Sequence, residues 1–263
     1  VAVTGVQTCA LPIFLEEYGA KNPKSGWLRM IAGGGGSGLT IQQPENNIVR
    51  GAYYALIGAL SGAQTMALCC YDEAYTIPSP KAQHISLRTM QLLVEEIGLA
   101  DTVDPLAGSY YVETLTNQME QEMVKAMKEV DAQGGIVQAV AEGRIQEQVS
   151  IQAYQHQRKL ESGEFHKVGV NCYVDEDEEA PDVELHPYAE KDAELQVGSL
   201  QEVRKTRDNI KVEKTLARLK VDAQSDRNVM PALIDAVKSY ATVGEMTNVL
   251  IEVYGRYQEP IRF

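Results

Sequence analysis

The chain has 263 residues, of which 44% are hydrophobic, and its formal net charge at neutral pH is −13. This size allows one or two domains with a sizeable core. The negative charge argues against nucleic acid or an anionic membrane as the main partner, and no apolar run reaches the roughly 18–20 residues of a membrane-spanning helix. The four cysteines show no paired Cys-x-x-Cys spacing, so we expect reduced thiols and a cytoplasmic protein.

The first fourteen residues have no positively charged start ahead of an apolar region and do not begin with methionine. They are therefore not typical of a signal peptide. We interpret residues 1–14 as a non-native leader and leave them out of the fold argument.

Two strand–helix units follow. Apolar residues over 28–32 predict a buried strand, and the glycine loop (residues 33–40) comes next. Helical spacing predicts a helix that is N-capped by Asn46 or Asn47 and ended by Gly62. A second buried strand is predicted over 64–71 and a second helix over 81–97, capped by Ser79. Alternating strands and helices indicate an α/β fold with parallel strands.

The glycine loop lies where α/β proteins bind ligands, at the carboxyl end of a strand. Glycine lets the backbone approach a ligand closely and take positive φ angles. A P-loop would need a lysine where Leu39 stands. A dinucleotide-binding pattern fits Gly33, Gly35 and Gly38, but in a four-glycine run that match carries little weight. A flexible surface loop is equally consistent with the composition.

The remainder of the chain reads as mainly helical. Gly134 and Gly135 should end a long helix that is capped by Thr116, and Thr242 and Glu245 form a capping box that opens the last helix, to residue 254. Between them the patterns predict helices over 136–141, 145–162, 200–220 and 228–240, an isolated strand over 168–174, and a solvated acidic loop over 175–179.

The residues alone predict no self-sufficient catalytic set and no metal site. The four histidines lack HExxH or Cys/His metal spacing, and no Gly-x-Ser-x-Gly elbow is present. Asp72 and Glu73 follow the second strand but should point apart, which is poor geometry for a carboxylate pair. Either could instead cap a neighbouring element or face solvent.

Several ordered motifs then carry a resemblance to a known family. They are Gln42 and Pro44, the run Asn46-Asn47-Ile48-Val49-Arg50, Asp72-Glu73-Ala74 with Pro78, Asp104-Pro105 with Gly108-Ser109-Tyr110, Thr114-Leu115-Thr116, Gly169-Val170-Asn171 and Thr242-Val243-Gly244-Glu245. From about Tyr18 to Tyr254 the chain resembles the large, catalytic subunit of the methylmalonyl-CoA mutase family.

That resemblance implies a partial (β/α)8 TIM barrel, with its last strands and helices at residues 15–112, followed by a helical extension at 113–263. It implies an isomerase that uses adenosylcobalamin for a radical rearrangement of the carbon skeleton of an acyl-CoA thioester. Most CoA contacts, the substrate-polarising histidine and the cobalt ligand would lie outside this chain. The cobalt ligand would come from a cobalamin-binding domain or small subunit, in a dimer or heteromer.

The resemblance also implies five cofactor-binding residues. Gly36 matches a glycine of the family's loop, and Glu73 and Ala74 match its acidic–alanine pair. Thr76 falls on the second small residue after that pair, and Gln157 matches a glutamine that contacts the cofactor. A flat macrocycle needs close backbone approach, which Gly36 permits, while Glu73 and Gln157 can engage its polar edge or the adenosyl group.

One departure from the family bears on the substrate. The family usually has His-x-Gln-Thr where this chain has Ile31-Ala32-Gly33-Gly34. Losing two polar side chains enlarges the pocket, so we hypothesise an acyl group bulkier or more apolar than methylmalonyl. The same loss favours the alternative of a non-catalytic scaffold or assembly protein derived from this fold, whereas Glu73 and Gln157 favour an enzyme. We expect the isolated chain to be inactive, because part of a barrel leaves strand edges uncovered.

Overall fold

A computed structural model describes the chain at residues 13, 15, 18–26, 29–102, 104–174, 183–187, 189–225 and 227–260. The chain divides into two compact units. The first comprises residues 1–186 with 260–263, and the second comprises residues 187–259. Within the described ranges, no helix is both long enough and apolar enough to cross a bilayer.

The first unit contains a small parallel sheet with a helical crossover. Strand β1 (Ile31–Gly33) pairs with β2 (Thr65–Ala67), so that Ile31 lies opposite Thr65. Helix α1 (Asn46–Leu60) connects the strands, and α2 (Pro80–Glu95) follows β2 and packs against α1. The predicted order of parallel strands and helices is confirmed. The strand predicted over 64–71 is shortened to three paired residues, and the one predicted over 28–32 is displaced to Ile31–Gly33, so that it includes the first glycine of the loop.

Three helices follow in the first unit: α3 (Tyr110–Ala132), α4 (Gly135–Ala141) and α5 (Arg144–Glu161). The predicted start of α3 at Thr116 is wrong. Its N-cap position is Ser109, about two turns earlier, and the Glu113 carboxylate accepts from the backbone N–H of Gly108 at 3.0 Å. Thr116 is buried within the helix. The predicted break at Gly134 and Gly135 is confirmed, since both take positive φ angles that favour glycine.

The isolated strand predicted over 168–174 is also wrong. Val168 and Cys172 form a single bridge around a tight turn, in which the Asn171 side chain accepts from the N–H of Lys167 at 2.6 Å. Local hydrogen bonding by an asparagine side chain competes with extended structure. The predicted acidic loop over 175–179 lies outside the described residues.

The second unit consists of α6 (Glu190–Thr206), α7 (Asn209–Ala223), α8 (Met230–Lys238) and α9 (Val243–Tyr254). The continuous helix predicted over 200–220 is wrong. It breaks at Asp208, whose carboxylate caps α7 by accepting from the N–H of Lys211 at 3.0 Å. The capping box of Thr242 and Glu245 is confirmed. Helices α7, α8 and α9 share a core of Val212, Leu219, Ala232, Ala236, Ala241 and Met246.

Candidate functional site

Two loops meet at the carboxyl ends of β1 and β2. The glycine loop follows β1, and residues 72–79 follow β2. The N–H of Gly34 donates to the carbonyl of Ala67 at 2.9 Å, which holds the base of the glycine loop beside β2. A Cβ placed on Gly36 would lie 3.4 Å from both Cγ and Oε1 of Glu73. The structure therefore brings together two of the residues that the family resemblance singled out.

The glycines of this loop serve its packing. None of the glycines from Gly33 to Gly38, all of which the structure describes, has a positive φ angle, so the expected left-handed conformation is not used. A Cβ on Gly38 would lie 2.1 Å from the Tyr54 hydroxyl oxygen, and one on Gly34 would lie 3.0 Å from Cδ1 of Leu68. Gly35 is open, since its nearest neighbour would be 3.7 Å away. These glycines thus let side chains of α1 and the β2 segment contact the loop backbone.

Asn47 ties the two loops together. The prediction that Asn46 or Asn47 is the N-cap of α1 is wrong, because Glu45 occupies that position and α1 has no side-chain cap. Asn47 is instead only 1% exposed. Its Oδ1 accepts from the N–H of Thr40 at 3.1 Å, and its Nδ2 donates to the carbonyls of Thr40 at 2.8 Å and Tyr71 at 3.0 Å. One buried amide therefore fixes the end of the glycine loop against the start of the 72–79 loop.

Asp72 shapes the second loop from inside. It is fully buried, and its Oδ2 accepts from the N–H of Ser79 at 2.8 Å. The Ser79 hydroxyl in turn caps α2 by accepting from the N–H of Ala82 at 3.2 Å, as predicted. With Asp72 turned inward, Glu73 and Ala74 are exposed. The prediction that the two acids point apart is confirmed, although they lie in a turn and not in a strand.

The other two predicted site residues have partners elsewhere. The Thr76 hydroxyl accepts from the N–H of His186 at 3.0 Å. Gln157 is exposed on α5, where its Nε2 donates to Glu161 Oε1 at 3.0 Å. Thus Gly36, Glu73, Ala74 and Thr76 belong to the two adjoining loops, whereas the Gln157 amide bonds along its own helix.

A third loop, residues 165–173, reaches the glycine loop and is called here the clasp loop. Lys167 Nζ donates to the carbonyl of Gly38, and Arg50 Nη2 donates to the carbonyl of Val168 at 2.8 Å. Burial lowers the pKa of Lys167, and the nearby Arg50 guanidinium lowers it further. Sequence reasoning missed these contacts, because the bonded residues are more than 100 positions apart.

A cavity of about 540 Å³ lies beside the glycine loop. Small and apolar residues supply most of its wall, including Ala32, Gly33, Gly35, Gly58 and Ala67. Tyr54 from α1 contributes an aromatic side. In the part of the chain that the structure describes, no group of three His, Cys, Asp or Glu side chains is placed to hold a metal ion.

Comparison with known proteins identifies the family. The sequence model of methylmalonyl-CoA mutase matches residues 11–256, and the chain therefore belongs to the methylmalonyl-CoA mutase family. This confirms the resemblance inferred from the motifs.

Individual relatives agree with this assignment. The chain is 38% identical to the 2-hydroxyisobutanoyl-CoA mutase large subunit of Aquincola tertiaricarbonis over 255 residues. These aligned residues cover 97% of this chain and 45% of that protein. It is 34% identical to the methylmalonyl-CoA mutase of Cereibacter sphaeroides, over 94% of this chain and 35% of the relative. It is 33% identical to the methylmalonyl-CoA mutase of Escherichia coli, over 92% of this chain and 34% of the relative. The chain thus spans less than half the length of each of these relatives.

Proposed function

We propose that this chain is the C-terminal part of the large subunit of an adenosylcobalamin-dependent acyl-CoA mutase, an isomerase that rearranges the carbon skeleton of a CoA thioester. The observation that carries the proposal is the meeting of Gly36 and Glu73. They come from loops at the carboxyl ends of two neighbouring parallel strands, which is where α/β barrels build their sites. Family membership supplies the chemistry to expect there.

The residues present fit a large flat cofactor. Gly36 has no side chain, and the three atoms nearest to a Cβ placed there, apart from its chain neighbours, all belong to the Glu73 side chain. Glu73 and Ala74 are exposed, so one offers a carboxylate to hydrogen-bond donors and the other a small apolar surface. Adenosylcobalamin would supply radical chemistry, with its cobalt ligand contributed by a domain or subunit outside this chain. This chain would orient the cofactor through Gly36, Glu73, Ala74, Thr76 and Gln157 and exclude water.

The exposed sheet supports the partial barrel. Ile31 in β1 remains 67% exposed, and both strands show an exposed–half-buried–exposed pattern. Parallel strands are normally covered on both faces. We therefore place residues 15–112 in a (β/α)8 barrel and residues 113–263 in its helical extension, and we expect the chain alone to be inactive. Its partners would be an acyl-CoA and a cobalamin-binding domain or small subunit, in a dimer or heteromer.

The cavity beside the glycine loop bears on the acyl group. Its wall contains Ile31, Gly33 and Gly34, which stand where the family usually carries histidine, glutamine and threonine. We propose an acyl group bulkier or more apolar than methylmalonyl, and the relative named for 2-hydroxyisobutanoyl-CoA is in keeping with this. Assay of the complete protein with a series of acyl-CoA thioesters tests the idea. A clear preference for methylmalonyl-CoA would contradict it.

Cofactor binding tests the main proposal. The complete protein, mixed with its cobalamin-binding domain or subunit, should bind adenosylcobalamin. Glu73→Ala should weaken that binding about tenfold or more, since losing a hydrogen bond to a charged group costs about 1.5–3 kcal/mol and each 1.4 kcal/mol is a factor of about ten. Glu95→Ala is the matched control, because Glu95 is an exposed acid in the last turn of α2. No binding by the wild-type assembly would favour the scaffold alternative instead.

A further inference from the structure

The clasp loop joins parts of the first unit that are far apart in sequence. The bonds from Lys167 to Gly38 and from Arg50 to Val168 span 129 and 118 residues. A third bond runs from Gln43 Nε2 to the carbonyl of Tyr173 at 3.0 Å and spans 130 residues. All three end on backbone carbonyls, so they fix the path of the main chain.

The clasp loop is also anchored to the end of α5. Asn171 Nδ2 donates to the carbonyls of Leu160 and Phe165, each at 2.7 Å. Leu160 lies in the last turn of α5, three residues beyond Gln157. The same loop therefore contacts the glycine loop on one side and the helix that carries Gln157 on the other.

Backbone strain concentrates at this junction. Gln43 and Tyr173, the hydrogen-bonded pair, both have positive φ angles, of 47° and 51°. Gly169 has a φ of 78°, and a Cβ there would lie 3.0 Å from Gln43 Oε1. Strained residues persist only where their surroundings over-determine them, and they cluster at functional sites.

The charges at the junction are unusual as well. Burial and, to a smaller extent, the nearby Arg50 guanidinium lower the pKa of Lys167, yet among the ion pairs of the described residues neither cation takes part in one. Both donate to uncharged oxygens: Arg50 to Thr40, Asn47 and Val168, and Lys167 to Gly38. Two half-buried cations therefore stabilise loop backbone and not acidic side chains.

We infer that Lys167 and Arg50 are positioning residues that hold the glycine loop in its ligand-binding conformation through the clasp loop. Lys167 holds the carbonyl of Gly38, at the end of the turn that begins at Gly36 and is closed by the bond from the Leu39 N–H to the Gly36 carbonyl at 3.0 Å. The inference rests on the proposed function, because the ligand is the cofactor proposed for Gly36 and Glu73.

The test compares Lys167→Met with the wild type in the complete protein and its cobalamin-binding domain or subunit. We expect about a tenfold weaker affinity for adenosylcobalamin, the size of effect that follows from losing one charge-assisted hydrogen bond. The KM for the acyl-CoA thioester should change by less than about twofold, because the interaction acts on cofactor binding. Hydrogen exchange at the glycine-loop amides should become faster in the absence of any ligand.

Two further variants make the test specific. Lys167→Arg keeps a cationic donor and should recover most of the affinity. Lys159→Met removes the same charge from α5, where Lys159 pairs with the exposed Glu164, and should change nothing. If Lys167→Met folds poorly, Lys167→Gln is tested in its place, because the glutamine side chain is neutral and one atom shorter than that of lysine.

The outcomes separate the two proposals. Wild-type affinity and unchanged loop exchange in Lys167→Met would overturn the positioning role, and so would an equal loss in Lys159→Met. If the wild-type assembly fails to bind adenosylcobalamin, the proposed function fails, while the ligand-free exchange of the glycine loop still tests the role of Lys167.

Discussion

The two units of this chain are stabilised by different means. In the second unit, α7, α8 and α9 enclose an apolar core in which Leu219, Ala232 and Ala236 are completely buried. In the first unit, the completely buried side chains around the sheet include Asn47, Asp72 and Ser79, which are polar. The second unit thus has an apolar core between its own helices, whereas near the sheet polar side chains are buried beside apolar ones such as Leu39 and Ala82 and fix the loops.

This difference matches the ligand site proposed at the loops of the first unit. A hydrophobic core stabilises a fold in proportion to the apolar area it buries, and it tolerates hydrophobic substitutions that keep its volume. A buried polar network specifies one arrangement where its members are satisfied and is costly where one is not. Here both polar atoms of the Asn47 side chain are bonded, whereas Asp72 Oδ1 has no hydrogen-bond partner. A site that must place Gly36 beside Glu73 benefits from the second kind of stabilisation. Substitutions that attack each kind separately test the contrast.

The largest effect is expected from Leu219→Ala in the second unit. Leu219 is 0% exposed, so truncation leaves a cavity and should cost about 2–5 kcal/mol of unfolding free energy. Urea denaturation, with hydrogen exchange of the α7 and α9 amides, measures the loss. Val221→Ala on the same helix is the control, since Val221 is 59% exposed and should cost no more than about 0.5 kcal/mol. Equal losses in both variants would contradict an apolar core at Leu219.

Asn47→Ala should have the next largest effect and should destabilise the first unit. The substitution removes a hydrogen-bond partner from the N–H and carbonyl of Thr40 and from the carbonyl of Tyr71. We expect a loss of roughly 3 kcal/mol, because three polar groups lose a partner and each costs at least about 1 kcal/mol when it stays unsatisfied. The amides of the glycine loop should exchange faster with solvent.

Asn46→Ala supplies the matched control for that change. Asn46 is half-buried, and its side chain donates to Gln43 at 2.8 Å. Its loss should cost about 1 kcal/mol. If the two asparagine variants behave alike, Asn47 is an ordinary helix-terminal residue and the two loops are held by other contacts.

The sequence predicted features whose causes lie within a few residues. Residue type and spacing predict Ser79 and Thr242 as caps, and in the structure each hydroxyl accepts from an N–H three positions along the chain. Asn47 satisfies the same local rule, yet its partners lie 7 and 24 residues away, so the rule assigned it the wrong role. The Lys167 contact with Gly38 spans 129 residues and leaves no periodic signal.

For the site, the sequence indicates where Glu73 lies along the chain but not which residues it meets in space. The apolar run over 64–71 predicts Glu73 just beyond a strand, but β2 ends at Ala67, so Glu73 follows a longer connection on the same side of the strand. Its closeness to Gly36 depends on the strand register and on the buried Asn47 amide, which only the fold reveals. The cofactor role of these residues and of Gln157 stays a prediction.

The smallest effect concerns an ion pair at the edge of the apolar core. Both Glu245 oxygens accept from Arg207, at 2.6 and 2.8 Å, and Oε2 also accepts from the N–H of Thr242 at 2.8 Å. Hydrogen bonds from Arg207 lower the pKa of Glu245 from 4.5 to about 2, with a further contribution from Thr242 and against the opposing effect of burial. Because the folded-state pKa is depressed, this stabilisation is complete above about pH 4.5 and is lost as the pH falls towards 2.

Glu245→Gln should therefore cost about 1–2 kcal/mol at pH 7, since the amide keeps a partial set of hydrogen bonds without the charge. Thermal unfolding from pH 7 to pH 2 should show the wild-type and variant curves converging at the acid end. Glu252→Gln, which breaks the exposed pair with Lys220, should cost less than about 1 kcal/mol. A constant gap between Glu245→Gln and the wild type down to pH 2 would mean that the helix cap, and not the charge pair with Arg207, stabilises this end of the core.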